Sequence, residues 1–508
     1  MKVLKPLLAF LLVLALSLSC MSPAFAAGER CECGFSPVVY VSALGSASLY
    51  LDADTPDERK IYEPENEEIL KMAGSLVLPL IRYFFDKNSK ALAKSIGAAV
   101  SSSLGELAMD ENGDSDPRVT TRDTFPTDPT HDPYKSYYFA YDFRVDPLET
   151  AKKLKDYVEH VKELTGHQKV SFKASSLGGI IVMAYLDRYG YDDLDAIIFQ
   201  NCPLLGVAVA GDLFTKRIEL NSDALVRYGI QALPQLEGGL WLEPIIRLLD
   251  FVGFFDLLLG FGGTLIDDIK DDLYDEMLIP LFGKMPCLWA LIPDKDYNEA
   301  KSLFLSDGAS SALIDKIDYY HYHIQSRTEE ILKEALEKGL RIMILAGYNL
   351  QREPFVESYL NNSDGVDDTI YNAPGVICAD IGKTLGPDYV QAVDDGHNHL
   401  SADGVIDAST CYLPENTWFI RDMLHSTAHE GHKDFYAWFL AGLESFDVHS
   451  DPRYPQFMQN DTANQRLIPL SEKPAGDSLK PFPLKVFVSV LEIMTDLRNK
   501  LLVNGGQP

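Results

Sequence analysis

Lys169-Val170-Ser171-Phe172-Lys173-Ala174-Ser175-Ser176-Leu177-Gly178-Gly179-Ile180-Ile181-Val182-Met183-Ala184-Tyr185-Leu186 decides how the rest of the chain reads. Its first four residues alternate as a strand does. Its last seven are apolar, as in a buried helix. Between them, Ala174 and Gly178 flank Ser176 in a small-x-Ser-x-small frame. A strand-to-helix turn this tight needs small residues two before and two after its centre, and it holds the central hydroxyl out at the top of a sheet. Ser175 does not fit the frame. Ala174 stands where glycine is usual, and a plain tight turn has the same local needs, so the remaining chain must decide whether Ser176 is reactive.

Working outward, Pro37-Val38-Val39-Tyr40-Val41 reads as a buried strand followed by a small-residue loop, Ser42 to Ser46. Residues of about 55–130 read as an insertion, helical from Glu65 to Leu107. Tyr137 to Tyr141 returns to a strand, Pro147 to Leu164 to a helix, and Asp195 to Phe199 to another strand. Arg341 to Gly347 and Thr417 to Ile420 continue the sheet, and Asp434 to Leu440 forms a closing helix. This alternation predicts an α/β fold, a mostly parallel sheet with helices on both faces. The alternation stops over about 211–335. That stretch is apolar and broken by glycine (Leu240-Trp241-Leu242, then Phe251 to Phe261), and it reads as an inserted helical cap. The expected organisation is a leader at 1–26, a core at 27–210 and 336–445 with the cap between them, and an extension at 446–508 carrying an amphipathic helix near Leu484 to Leu502.

Lys2 and Lys5, the apolar run Leu7 to Leu18 and the small-x-small triplet Ala24-Phe25-Ala26 have the form of an export signal cleaved after Ala26. This predicts a secreted or extracytoplasmic protein. Six cysteines follow Cys20, and an exported chain permits them to pair, although spacing fixes no connectivity. Cys31 and Cys33 lie too far along the chain from the others to suggest a zinc ribbon. The formal net charge is −30, which argues against nucleic acid and against simple attachment to anionic lipid.

A serine hydroxyl needs a neutral imidazole to take its proton and an acid to orient that imidazole. After an elbow of this kind they are expected in the order Ser, Asp, His. His425 comes first after the strand ending near Arg421; His429 and His432 are its rivals. Asp403, in a glycine-containing turn near the His loop, is the expected acid, with Asp364 and Asp407 as alternatives; Asp364 lies closer to the preceding strand. The expected oxyanion donors are the backbone amides of Leu177 and Leu44. This chemistry requires no metal or organic cofactor. Asp394, Asp395, His397 and His399 collect metal-compatible groups in a spacing that matches no metal motif, so a polar surface turn is expected there.

Several segments in order resemble the lecithin:cholesterol acyltransferase-like branch of the α/β-hydrolases. Val38 to Ser46 is similar to that family's first strand and oxyanion loop, and Tyr141-Asp142-Phe143-Arg144 to its Tyr-Asp-Trp-Arg segment. Lys173 to Gly179 is similar to its elbow, and Met285-Pro286-Cys287 through Pro293 to its Met-Pro-Ser segment. Asp403-Gly404-Val405 with Ser409 resembles its acid loop. Ala43 and Ser175 depart from the pattern. The resemblance implies an α/β-hydrolase fold and cleavage or transfer of fatty acyl esters, with an ester or lipid substrate and transient contact with a lipid interface. No protein partner is expected. Transfer to an alcohol, amide cleavage, and a catalytically silent surface module on the same fold are the competing readings.

Overall fold

Val38–Val41 (β1) lies between two later strands, Ser136–Phe139 (β5) and Val170–Ser175 (β6), and pairs in parallel with both. In the computed structural model, residues 31, 33–62, 66–122, 125–219, 221–232, 266–305, 308–425, 430–442, 446–461 and 463–474 are described. From β6 the parallel sheet runs through Leu194–Gln200 (β7), Arg341–Tyr348 (β8), Thr417–Arg421 (β11) and Phe457–Asp461 (β12). Arg466–Pro469 (β13) closes it as an antiparallel edge. The eight strands stand in the order β13-β12-β11-β8-β7-β6-β1-β5. All eight residues of β8 are buried, as expected of a central strand covered on both faces.

The helices do that covering. Pro147–Thr165 begins on the Asp146 side chain, which accepts the Leu148 amide, and ends at the left-handed Gly166. It packs beside Gly178–Tyr189 in one large apolar cluster. Glu430–Ala441 covers the other face, with Phe435 and Phe439 buried against Trp418. The fold class is the expected one, α/β.

Two additions sit on this core. The helices Asn66–Asp86 and Ser89–Leu104 precede and follow pieces of a small antiparallel sheet, Leu49–Leu51 (β2), Arg59–Tyr62 (β3) and Val119–Thr121 (β4). The sequence pattern did not show that sheet, because three- and four-residue strands carry too little periodicity. Between β7 and β8 every regular element among the described residues is helical, from Ala208–Phe214 to Thr328–Glu337. Residues 233–265, which include Leu240-Trp241-Leu242 and Phe251 to Phe261, lie outside the described residues, as do the leader and the amphipathic helix expected near the end. Among the described residues no helix is long and apolar enough to cross a membrane. The six described cysteines are free thiols.

Arg144 joins the first addition to the core. Its side chain is fully buried. It bonds Asp142 at 2.6 Å, the Leu107 carbonyl at 2.9 Å and the Ser115 hydroxyl at 2.7 Å. Removing one partner of a buried ion pair leaves the other charge uncompensated, which costs roughly 3–5 kcal/mol. Arg144→Met is therefore expected to lower unfolding free energy by about that amount, read from the denaturant midpoint at unchanged slope. A loss below about 1 kcal/mol, the range of exposed pairs, would contradict this role.

Candidate active site

Ser176 sits where β6 turns into the helix Gly178–Tyr189. Its φ is +52°, a region that costs a residue with a side chain roughly a kcal/mol or more and that clusters at functional positions. The Ser176 amide is held by the Gln200 carbonyl at 3.2 Å, and its carbonyl accepts the Gly179 amide at 2.9 Å. The two glycines are required by contact. A Cβ on Gly178 would stand 2.2 Å from the Val41 carbonyl oxygen, and one on Gly179 2.5 Å from the Cys202 Cβ. The helix can begin there only because its first turn lies directly on the end of β1. That contact also seats the loop after β1 beside the elbow. Tyr141 and Tyr138 donate to the Ser42 and Ser46 carbonyls, each at 2.8 Å, and so pin this loop from the neighbouring strand. The loop carries Leu44, which is exposed, whereas Leu177 is buried at the helix start.

His425 follows β11, two strands beyond β7. Its backbone amide donates to the Asp364 carbonyl at 3.0 Å. Its Nδ1 lies 2.7 Å from Asp364 Oδ2, so Nδ1–H donates to the carboxylate and Nε2 is left as the base position. Asp364 is completely buried and fully engaged. Its Oδ1 accepts the amides of Val366 and Asp367 at 3.0 and 2.8 Å, and its Oδ2 also accepts Asn372 Nδ2 at 3.3 Å.

The expected acid is corrected here: Asp364, not Asp403, meets His425. Asp403 accepts the Tyr348 hydroxyl at 2.9 Å and lies 3.7 Å from Arg421. It occupies an ordinary turn leading into a two-stranded antiparallel sheet of Ile377–Cys378 (β9) and Ile406–Asp407 (β10), a side structure inserted between β8 and β11. Asp407 is likewise occupied, by Ser409, Tyr389 and the Ala392 amide. Of the rival histidines, His432 is bonded to Asn460 at 2.9 Å, and His429 lies outside the described residues. Asp364 reaches β8 because the chain doubles back: Leu350 bridges Ser363, and Ser363 bridges Asp368. Gly347 makes room, since a Cβ there would stand 2.6 Å from the Met423 carbonyl and 2.8 Å from the Asp364 Cβ.

Sequence reasoning missed a second carboxylate. Asp367 Oδ2 lies 3.7 Å from His425 Nδ1, is buried, and has no hydrogen-bond partner among the described residues. Burial opposes a charge on His425, but Asp364 and Asp367 outweigh it and hold the ring well above the usual imidazole value of 6.5. Burial in turn pushes the Asp367 carboxyl up to about 8.

The acid loop is tied to the helical addition. The Ala208 amide donates to Asp368 Oδ2 at 2.8 Å and the Ser358 amide to Asp212 Oδ2 at 3.1 Å. Asp368 in turn pairs with the fully buried Arg352. Ser176, Asp364 and His425 thus follow β6, β8 and β11 at one carboxyl edge of the sheet. Ser176 and His425 are each 8% exposed, which keeps water from screening their interactions. A groove of about 620 Å³ along β5, lined by Phe125, Tyr137, Tyr138 and Tyr157, includes none of the three.

At the expected polar turn, His399 is buried, bonded to Gln456 at 2.7 Å and to Asp395 at 2.9 Å. His397 and His449 lie 3.0 and 2.9 Å from Glu415. This turn is a more closely knit His/Glu cluster than its sequence suggested.

No protein-family model matches the chain, and no curated protein matches it by sequence. The crystal structure of the Tle4-Tli4 complex is similar over 61% of this chain and 75% of that chain, at 11% identity and a TM-score of 0.28. A likeness of that size decides nothing about activity.

Because the Asp367 charge helps hold the proton on His425, Asp367→Asn is expected to lower the pH at which that ring titrates, whereas Asp403→Asn leaves it unchanged. Imidazole proton shifts followed against pH read both. An unmoved titration in Asp367→Asn would show that the second carboxylate does not act on His425.

Proposed function

We propose that the chain is a serine hydrolase that cleaves carboxylic esters through an acyl-enzyme intermediate. The observation that carries this reading is the buried Asp364–His425 pair, at the sheet edge that also presents Ser176 at positive φ. A buried imidazole whose Nδ1 proton is committed to a carboxylate has its Nε2 free to accept and return a proton.

In this reading the Ser176 hydroxyl attacks the ester carbonyl as His425 Nε2 takes its proton. Asp364 holds the ring and stabilises the imidazolium. The amide of Leu177, with a second amide from the loop at Leu44, receives the negative charge on the carbonyl oxygen. His425 then gives its proton to the leaving alcohol. Water, deprotonated by His425, attacks the acyl-enzyme, and the acid product departs with Ser176 restored. The raised His425 value sets the sign of the pH dependence. The imidazolium cannot act as base, so activity rises with pH, and its acid limb lies above the ordinary imidazole value of 6.5.

Fatty acyl esters are the proposed substrates, on the resemblance of the elbow, first-strand, Tyr-Asp-Phe-Arg and Met-Pro-Cys segments to the lecithin:cholesterol acyltransferase-like branch. Two of those segments meet in space, since the Cys287 amide donates to the Arg144 carbonyl. Action outside the cytoplasm, after loss of residues 1–26, is proposed from the leader pattern.

The test is hydrolysis of p-nitrophenyl esters of graded acyl length. Ser176→Ala is expected to lower kcat by roughly 10⁴-fold or more. Asp364→Asn should lower it on the order of 10⁴-fold, through loss of the correct tautomer. Asp403→Asn should leave it largely unchanged. Full activity in Asp364→Asn with loss in Asp403→Asn would reverse the assignment of the acid. No hydrolysis by the folded wild type of any ester would remove the proposal.

A further inference from the structure

Four potential ligand side chains converge at the opposite end of the sheet from Ser176. Cys31 and Cys33 precede β1, His131 precedes β5, and His167 precedes β6. These three strands are neighbours, in the order β6-β1-β5, so their amino ends lie side by side. Cys33 Sγ stands 3.4 Å from His131 Nε2 and 3.5 Å from His167 Nε2, and Cys31 Sγ stands 4.0 Å from His131 Nε2. The ligand atoms of all four residues lie within 4.8 Å of one another.

We propose that Cys31, Cys33, His131 and His167 form a tetrahedral Cys2His2 site for Zn²⁺. Zinc takes thiolate sulfur at about 2.3 Å and imidazole nitrogen at about 2.0–2.1 Å, and tetrahedral angles then put donor atoms about 3.4–3.8 Å apart. The Cys33 distances fall in that range, and Cys31 needs only a small approach. Hydrogen bonding alone does not account for the arrangement. His131 Nδ1 lies 2.9 Å from the Pro129 carbonyl, and a carbonyl can only accept, so the ring proton is on Nδ1 and Nε2 is a bare lone pair. This is the outer contact that fixes the tautomer of a metal-bound histidine. Cys33 faces that lone pair, the His167 nitrogen and the Phe35 carbonyl at 3.3 Å. One thiol proton cannot serve all three, whereas a cation satisfies two nitrogens and two sulfurs together.

With four protein ligands the site has no open position, which is the form of a structural zinc centre. It clips the segment before β1 to the turns before β5 and β6. The far ends of β1 and β6 carry the Leu44 loop and Ser176. The clip therefore holds the two strands that position the elbow, without touching a reacting atom. Binding removes protons from both thiols and transfers them to solvent.

The mature protein, purified under reducing conditions, would be loaded with Co²⁺ and followed by absorption, and its native zinc measured by mass spectrometry. The wild type is expected to hold about one zinc per chain at this site, and its cobalt form to show a thiolate-to-cobalt charge-transfer band with intense tetrahedral visible bands. Cys33→Ser and His131→Ala should each lose the charge-transfer band. The His397, His399, Glu415 and His449 cluster contains no thiol and cannot supply it. Should either variant fail to fold by circular dichroism, thiol counting on the wild type decides instead. Chelator should raise the number of rapidly reacting thiols by two, namely Cys31 and Cys33. A reduced wild type with no charge-transfer band, a folded Cys33→Ser that retains it, or a thiol count unmoved by chelator would overturn the proposal.

Discussion

The architecture depends on one close approach. The helix Gly178–Tyr189 starts with its backbone against the end of β1, at a distance that leaves no room for a Cβ at Gly178, while Cys202 leaves none at Gly179. With the helix held there, the chain leaving β6 has only a sharp turn in which to change direction, and Ser176 takes the positive φ that this turn demands. The same contact places the loop after β1 against the elbow. The Ser176 turn, a helix N-terminus and a second backbone loop are thus assembled by sheet packing, before any side-chain chemistry is considered.

The opposite side of the site rests on a different device. Asp364 is far from the end of β8 along the chain, yet two isolated bridges fold it back, and Gly347 admits both its Cβ and the Met423 carbonyl. The carboxylate is then fixed by two backbone amides as well as by His425. Buried charge is costly unless it is bonded in this way. Asp367, with one oxygen lacking a partner among the described residues, bears that cost, and burial pushes its carboxyl up.

These two halves were unequally legible in the sequence. The elbow is local, so Ala174, Ser176 and Gly178 could be read together, and strand-helix alternation gave a mostly parallel sheet covered on both faces. His425 stood out because it is the first histidine after a strand, and the structure pairs it with a buried carboxylate. The carboxylate partner of His425 was misplaced because Asp-Gly-Val occurs twice, at Asp364 and at Asp403. Nearness to His425 along the chain favoured the wrong copy. A two-stranded sheet inserted between β8 and β11 carries Asp403 to Tyr348 instead. Asp367 and the cysteine–histidine group were not legible, since their meaning lies in contacts between residues distant in the chain.

The central claim is that Ser176 is an activated nucleophile. The most direct measurement is reaction of the folded mature protein with a fluorophosphonate, followed by peptide mapping of the adduct. The account predicts a single phosphonylated residue, Ser176, with the rate of labelling falling sharply in Asp364→Asn. No adduct, or an adduct at another residue with Ser176 unmodified, would contradict it.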